Sequence, residues 1–324
     1  MTTIAARLQA VHTRIRSAAQ AAGRRPGELR LIAVSKTFPA ESILEAIAAG
    51  QFAFGENYAQ EALAKMNAVE SALAGGARVG DRSRSPAQAA GTSLARRRDA
   101  SPRAEDDAAP GDDIRHSSGV ASPQAGPLLR PPDGRVAAPG PDDEESLGDA
   151  RHSSEVASPQ AGPLLRPPEW HFIGPIQSNK TRQIAEHFDW VHSVDREKIA
   201  RRLSEARPAN LPPLQVCLQV NVSGEASKSG VSPEAVPGLA EVVAALPGLR
   251  LRGLMAIPEP TEDSALQRRR FAQLRALRDT LNGRGFALDT LSMGMSDDLE
   301  AAIAEGATMV RIGRAIFGAR RTAA

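Results

Sequence analysis

The stretch LIAVSK ends an apolar run on Lys36, at the point where a strand leaving a core would meet solvent. A lysine amine desolvated at such a place loses its proton and attacks carbonyl carbon. The plainer role is a side chain that snorkels to water or forms an ion pair, and the run itself leaves both open. Two other stretches carry chemistry of a different kind. LSMGMSDDLEAAIAEG sets small residues from Ser292 to Ser296, with Met295 among them, ahead of a helical pattern that Ser296 is expected to cap. VRIGRAIFG sets Arg311, Gly313 and Arg314 at the end of another apolar run. Backbone amides in such turns bind phosphate, although glycines also serve simply to turn a chain. Asp297 and Asp298 would compete with an anion there, so their side chains are expected to point outward.

Positioning these groups requires a scaffold, and the pattern supplies one. Eight short apolar runs recur: LRLIAVSK, FAFGEN, WHFIGP, WVHSV, LQVCLQVNV, LRLRGLMAI, TLSMGM and MVRIG. Helical patterns such as AESILEAIAAG, DREKIARRLSEA and LQRRRFAQLRALRDTLN separate them. Alternation of this kind predicts parallel pairing with crossovers, and near-continuous apolar strands predict that both faces are covered. The count predicts a single-domain α/β structure, a TIM (β/α)8 barrel. An open doubly wound sheet is the alternative, but no Gly-x-Gly-x-x-Gly follows the first strand.

Barrels carry their active residues where strands end and helices begin. Those positions are Lys36, Glu56 with Asn57, Gly174 with Pro175, Asn221, Met255, Ser292 through Ser296, and Arg311 with Gly313. An anion cradle on the rim opposite a reactive lysine suits a phosphorylated aldehyde. Two ligand classes fit: a sugar phosphate, as in Schiff-base aldolases, or pyridoxal phosphate.

Composition excludes several other functions. A net charge of +2 demands neither nucleic acid nor an anionic membrane. The single cysteine, Cys217, rules out a disulfide framework and any cysteine-based metal site, and reads as a core strand residue. No metal ligands are assigned, and no apolar run approaches the roughly 20 residues needed to span a bilayer. The first 25 residues share an amphipathic, acid-free composition with transit peptides. They are read instead as a first helix with Ile4, Leu8, Val11 and Ile15 on one stripe, ended by Gly23 and Pro26. With no secretory segment, a cytoplasmic protein is expected.

Residues 75–168 differ from the rest. They hold 13 of the 24 prolines and no Phe, Trp, Tyr, Met, Cys or Lys. DIRHSSGVASPQAGPLLRPP at 113–132 returns at 149–168 with two changes, carrying His116 and His152 with it. Such a Pro/Ser/Arg-rich segment cannot bury a continuous face and is expected to be a disordered insertion. The barrel is then discontinuous in sequence, made of 1–74 and 169–324.

The motifs AVSKTFP, FGENYAQEAL, WHFIGPIQSNKTR, VNVSGEASKSG, GLMAIP and LSMGMSDDLEAAIAEGATMVRIGRAIFGAR, taken in order, resemble the YggS/PROSC family of pyridoxal phosphate homeostasis proteins. That family is similar to the N-terminal barrel domain of alanine racemase without the second, β-rich domain. The resemblance implies that Lys36 forms a Schiff base with pyridoxal 5'-phosphate. It also implies that Ser292, Gly313 and the backbone of Arg314 hold the phosphate with Met295 and Ser296 close by, and that Arg311 faces the pyridine nitrogen, with Asn57 near the ring. Arg314 departs from the small residue common there, as does the insertion. Lys180 and Lys228 are carried over as a second cofactor site, with ordinary solvated lysines as the alternative.

Turnover needs more than a bound cofactor. An arginine on the pyridine nitrogen cannot protonate it, so the ring is a weak electron sink. A two-base racemase also needs an acid or base on the far face, and the single tyrosine, Tyr58, is expected to pack at the start of a helix. The expected function is therefore to buffer and deliver the cofactor in vitamin B6 homeostasis, without robust catalysis and with no catalytic residues assigned. Apo-enzymes that use it are the expected partners, and a monomer is expected. The alternative is a racemase or a Schiff-base aldolase.

Overall fold

The computed structural model describes residues 2–74, 167–225 and 228–319. The expectation of a disordered insertion, with His116 and His152 in its repeat, falls on residues that lie outside these, apart from 167–168.

Eight strands close a barrel in chain order: β1 (Arg30–Val34), β2 (Ala53–Glu56), β3 (Glu169–Phe172), β4 (Trp190–Val194), β5 (Leu214–Gln219), β6 (Leu249–Met255), β7 (Thr290–Ser292) and β8 (Met309–Ile312). Every pairing is parallel, as the alternation predicts. β2 pairs directly with β3, Ala53 opposite Glu169 and Glu56 opposite Phe172, so the two sequence segments build one sheet. Closure comes from β1 on β8, with Arg30 opposite Met309 and Ala33 opposite Ile312.

The helices are α1 (Ile4–Ala21), α2 (Ala40–Ala48), α3 (Ala59–Ala74), α4 (Thr181–His187), α5 (Glu197–Ala206), α6 (Val236–Ala244), α7 (Ser264–Gly283), α8 (Leu299–Ala304) and the short α9 (Arg314–Phe317). α1 starts at Thr3, whose hydroxyl accepts the amide of Ala6, and it buries Ile4, Leu8, Val11 and Ile15 as expected. No helix among the described residues is long and apolar enough to cross a membrane.

Successive strand side chains alternate between the helix layer and the barrel interior. Leu31, Ala33, Phe54, Trp170, Phe172, Val310 and Ile312 join the core under the helices. Ile32, Ala53, Trp190, Cys217, Met255 and Met309 form a separate cluster inside the barrel. Cys217 is fully buried there, and burial pushes its thiol up to about 12.

The barrel wall is tightest where β6 meets β7. A Cβ on Gly253 would overlap the carbonyl oxygen of Thr290 and lie 2.6 Å from its carbon, both immovable backbone atoms. Gly253→Ala should therefore cost about 3 kcal/mol or more of stability, read as a lowered urea midpoint with an unchanged slope. A midpoint equal to that of the wild type would contradict this packing.

Candidate functional site

A cavity of about 590 Å³ opens at the end of the barrel where the strands give way to helices. That size is ordinary for a small-molecule site. β1 delivers Lys36, β2 delivers Asn57, and β8 delivers Arg311, Gly313 and Arg314. The loop after β7 adds Met295, Ser296 and Asp297, and Ile173 and Ile257 add apolar walls. Seven predicted site residues are thus brought together.

Four are not. Met255 packs inside the barrel, fully buried below the cavity floor. Ser292 is fully buried too, its hydroxyl engaged by other side chains rather than facing the cavity. Lys180 ends a 3-10 turn, Ser178–Lys180, and Lys228 lies in the loop after β5; neither lines the cavity. A larger surface groove of about 1220 Å³ runs beside it between α1, α7 and α8, sharing the Met295–Asp297 wall, but no lysine lines it.

Two local expectations also need correction. The N-cap of α8 is Asp298, not Ser296. Its carboxylate turns back and accepts the amide of Met295 at 2.6 Å, closing the loop on itself, and Asp297, though exposed, lines the cavity, so the two carboxylates do not both point away from it as expected. Tyr58 does not pack: its side chain is 57% exposed and outside the cavity lining.

Arg311 is the most constrained group. It is 4% exposed, yet among the described residues no carboxylate forms an ion pair with it. Its guanidinium donates to the carbonyl and hydroxyl oxygens of Ser292, both at 2.6 Å, and to the carbonyl of Ala256 at 2.9 Å. Burial lowers its pKa to about 10, so it remains a cation at neutral pH.

Those bonds begin a chain that runs down through the barrel. The Ser292 hydroxyl, accepting from Arg311, has its own proton to give and lies 2.7 Å from His192 Nδ1. His192 Nε2 lies 2.9 Å from His171 Nδ1, and His171 Nε2 faces Glu169 Oε1 at 3.4 Å. Glu169 is in turn paired with Arg30. An arginine only donates, but the Ser292 hydroxyl has two lone pairs and one proton, so which partner donates along the chain is set by the histidine tautomers; His171 Nε2 has no hydrogen-bond partner among the described residues. Both rings are neutral. Burial foremost, with the nearby arginine charges, lowers His192 to about 3, and burial holds His171 well below its ordinary value.

Asn57 is fixed by a close approach of Gly174, where a Cβ would lie 2.7 Å from the Asn57 Cα. Its Oδ1 is buried and has no hydrogen-bond partner among the described residues. A cavity wall bearing a buried orphan acceptor and a buried cation fits a polar ligand. Beyond Gly313, the four-residue α9 places Arg314 and Ala315 in the lining, while the amides of Ile316 and Phe317 already donate to the Gly313 carbonyl at 2.9 and 3.0 Å. Among the described residues there is no cluster of His, Cys, Asp or Glu able to hold a metal.

The sequence reading missed His171, His192, Ser35 and Lys65. The histidines each lie in an apolar strand at an inward register, in WHF and WVHSV, which was a usable signal. Lys65 was hidden in a helix, where its spacing of four from Glu61 reads as a surface pair.

Because both buried rings exclude a proton that the unfolded chain accepts, stability should fall as pH drops below about 6.5. Each ring contributes about 1.4 kcal/mol per pH unit, continuing for His192 toward its value of about 3. Urea titrations between about pH 6.5 and 5 should show His192→Asn losing about half of the slope due to this pair.

The alanine racemase N-terminal domain family matches residues 6–321. A pyridoxal phosphate homeostasis protein of Pseudomonas aeruginosa is 49% identical over 320 residues, covering 99% of this chain and 97% of the relative. The protein of the same name from Escherichia coli is 40% identical, covering 99% and 98%. Among solved structures, PipY of Synechococcus elongatus with PLP bound aligns with a TM-score of 0.61 and 28% identity, covering 98% of this chain and all of that one. An unknown protein from Bifidobacterium adolescentis aligns with a TM-score of 0.66 and 29% identity, covering 97% and 94%. Relatives this similar along nearly the whole length leave one conclusion: the chain belongs to the family of pyridoxal phosphate homeostasis proteins.

Proposed function

We propose that this protein binds pyridoxal 5'-phosphate as a Schiff base on Lys36 and buffers and delivers it in the cytoplasm, as a monomer, to apo-enzymes that need it. The observation that carries the reading is one cavity lined by Lys36 and, from the neighbouring strand β8, by Arg311, Gly313 and Arg314, together with Asn57, whose Oδ1 is orphaned. When bound, the cofactor would supply an aldehyde, and Lys36 would hold it through its amine. The backbone turn at Gly313 and Arg314 suits the phosphate, and Arg311 offers its cation to the pyridine nitrogen.

The chain's own residues argue for holding rather than turnover. Arg311 stays charged and cannot hand a proton to the ring nitrogen, so electron withdrawal is weak. The one tyrosine, Tyr58, faces solvent and cannot serve as a base on the far side of a bound substrate. Relatives at 40% and 49% identity are named for homeostasis.

Adding the cofactor to purified protein should produce an imine absorbance band that Lys36→Ala abolishes. Borohydride reduction and peptide mapping should place the label on Lys36; additional label on Lys180 or Lys228 would establish a second site. No band in the wild type would overturn the proposal, and rapid alanine racemisation would make the protein an enzyme.

A further inference from the structure

Behind Lys36, on the helix side of the barrel wall, lies an ionic cluster that the cavity does not touch. Lys65 projects from α3 and is 7% exposed, Glu56 at the end of β2 is fully buried, and Glu61 lies one turn before Lys65. The Lys65 ammonium donates to Glu56 Oε1 at 2.8 Å and to the backbone carbonyl of Ser35 at 2.9 Å, and pairs with Glu61 Oε1 at 2.6 Å. Glu56 Oε1 also accepts the Ser35 hydroxyl at 2.7 Å, and Glu61 Oε1 accepts the amide of Thr37 at 2.7 Å.

The two residues gripped are the chain neighbours of Lys36. Ser35 is held through its carbonyl and its hydroxyl, and its amide donates to Gly55 at 3.0 Å. Thr37 is held through its amide in a left-handed conformation, φ 67°, rare for a branched residue and maintained only where surroundings enforce it. Among the described residues it is the one non-glycine with positive φ. The alternation of the strand then carries Ser35 toward α3 and Lys36 into the cavity.

We infer that Lys65, acting through Glu56 and Glu61, is a positioning residue for Lys36: it fixes the backbone on both sides so that the amine is presented to the cavity. This deepens the reading of Lys36 as the cofactor lysine and rests on it. The cluster uses buried charge where apolar packing would serve stability as well, and its contacts are spent on one tripeptide.

The test separates presentation of the amine from general damage. Pyridoxine 5'-phosphate has the ring and phosphate of the cofactor but no aldehyde, so it needs the cavity and not the Lys36 amine. Lys65→Met leaves two carboxylates uncompensated and can unfold the protein, so the double variant Lys65→Met/Glu56→Gln, which removes the buried charges together, is compared at equal melting temperature. Imine formation should slow or weaken at least tenfold while pyridoxine 5'-phosphate binding changes less than twofold, and exchange of the Thr37 amide in the ligand-free protein should quicken at least tenfold. Unchanged imine formation, or equal loss of both ligands, would overturn the assignment. If the wild type forms no imine at all, the cofactor reading fails on its own, and Thr37 exchange still judges the clamp: unchanged protection in the double variant removes it.

Discussion

Four residue pairs between β1 and β8, from Arg30 opposite Met309 to Ala33 opposite Ile312, close the barrel. Everything at the mouth depends on that seam. Lys36 leaves β1 two residues beyond its end, and Gly313 leaves β8 directly, so the seam brings amine and amide turn to the same rim. A slip of one residue would turn Lys36 toward the helices and Ser35 toward the cavity. In the register observed, Leu31 and Ala33 pack under the helices and Ile32 packs inside the barrel.

The seam also sets the electrostatics. It carries Arg311 on β8 to the cavity floor, where the cation is solvated by the carbonyls of Ser292 and Ala256 and by the Ser292 hydroxyl rather than by a carboxylate. Bonds to charge of this kind are stronger than neutral ones, which allows a lone buried guanidinium to persist. The neutral histidines then continue the line of contacts down the barrel toward Glu169 and Arg30. A protonated His192 would set a second cation beside Arg311, and burial prevents it.

Much of this was legible in the sequence because it rests on local period. All eight strands, the α1 stripe and Lys36 at a strand end follow from alternation and turn residues. The seven lining residues follow from the rule that barrel sites sit at strand ends, aided by resemblance. What was not legible depends on side-chain direction and partners far apart in the chain. Ser292 and Met255 stand at strand ends, but their register turns them into the interior, toward His192 or the apolar cluster. Asp298 stands at the N-cap position expected for Ser296, and its carboxylate is spent on the loop's own amide at Met295 rather than on the helix. Lys65 belongs to β1 as much as to its own helix, a relation visible only when α3 lies against the ends of β1 and β2.

The interior cluster has a consequence for the protein's chemistry under oxidative stress. Cys217 is the chain's one sulfhydryl, closed off inside the barrel with a pKa of about 12. Thiolate is the form that peroxides and disulfides attack, and at neutral pH that form is almost absent and inaccessible to them. The chain's one thiol is therefore no redox switch: a change in thiol–disulfide poise finds nothing in the barrel to act on.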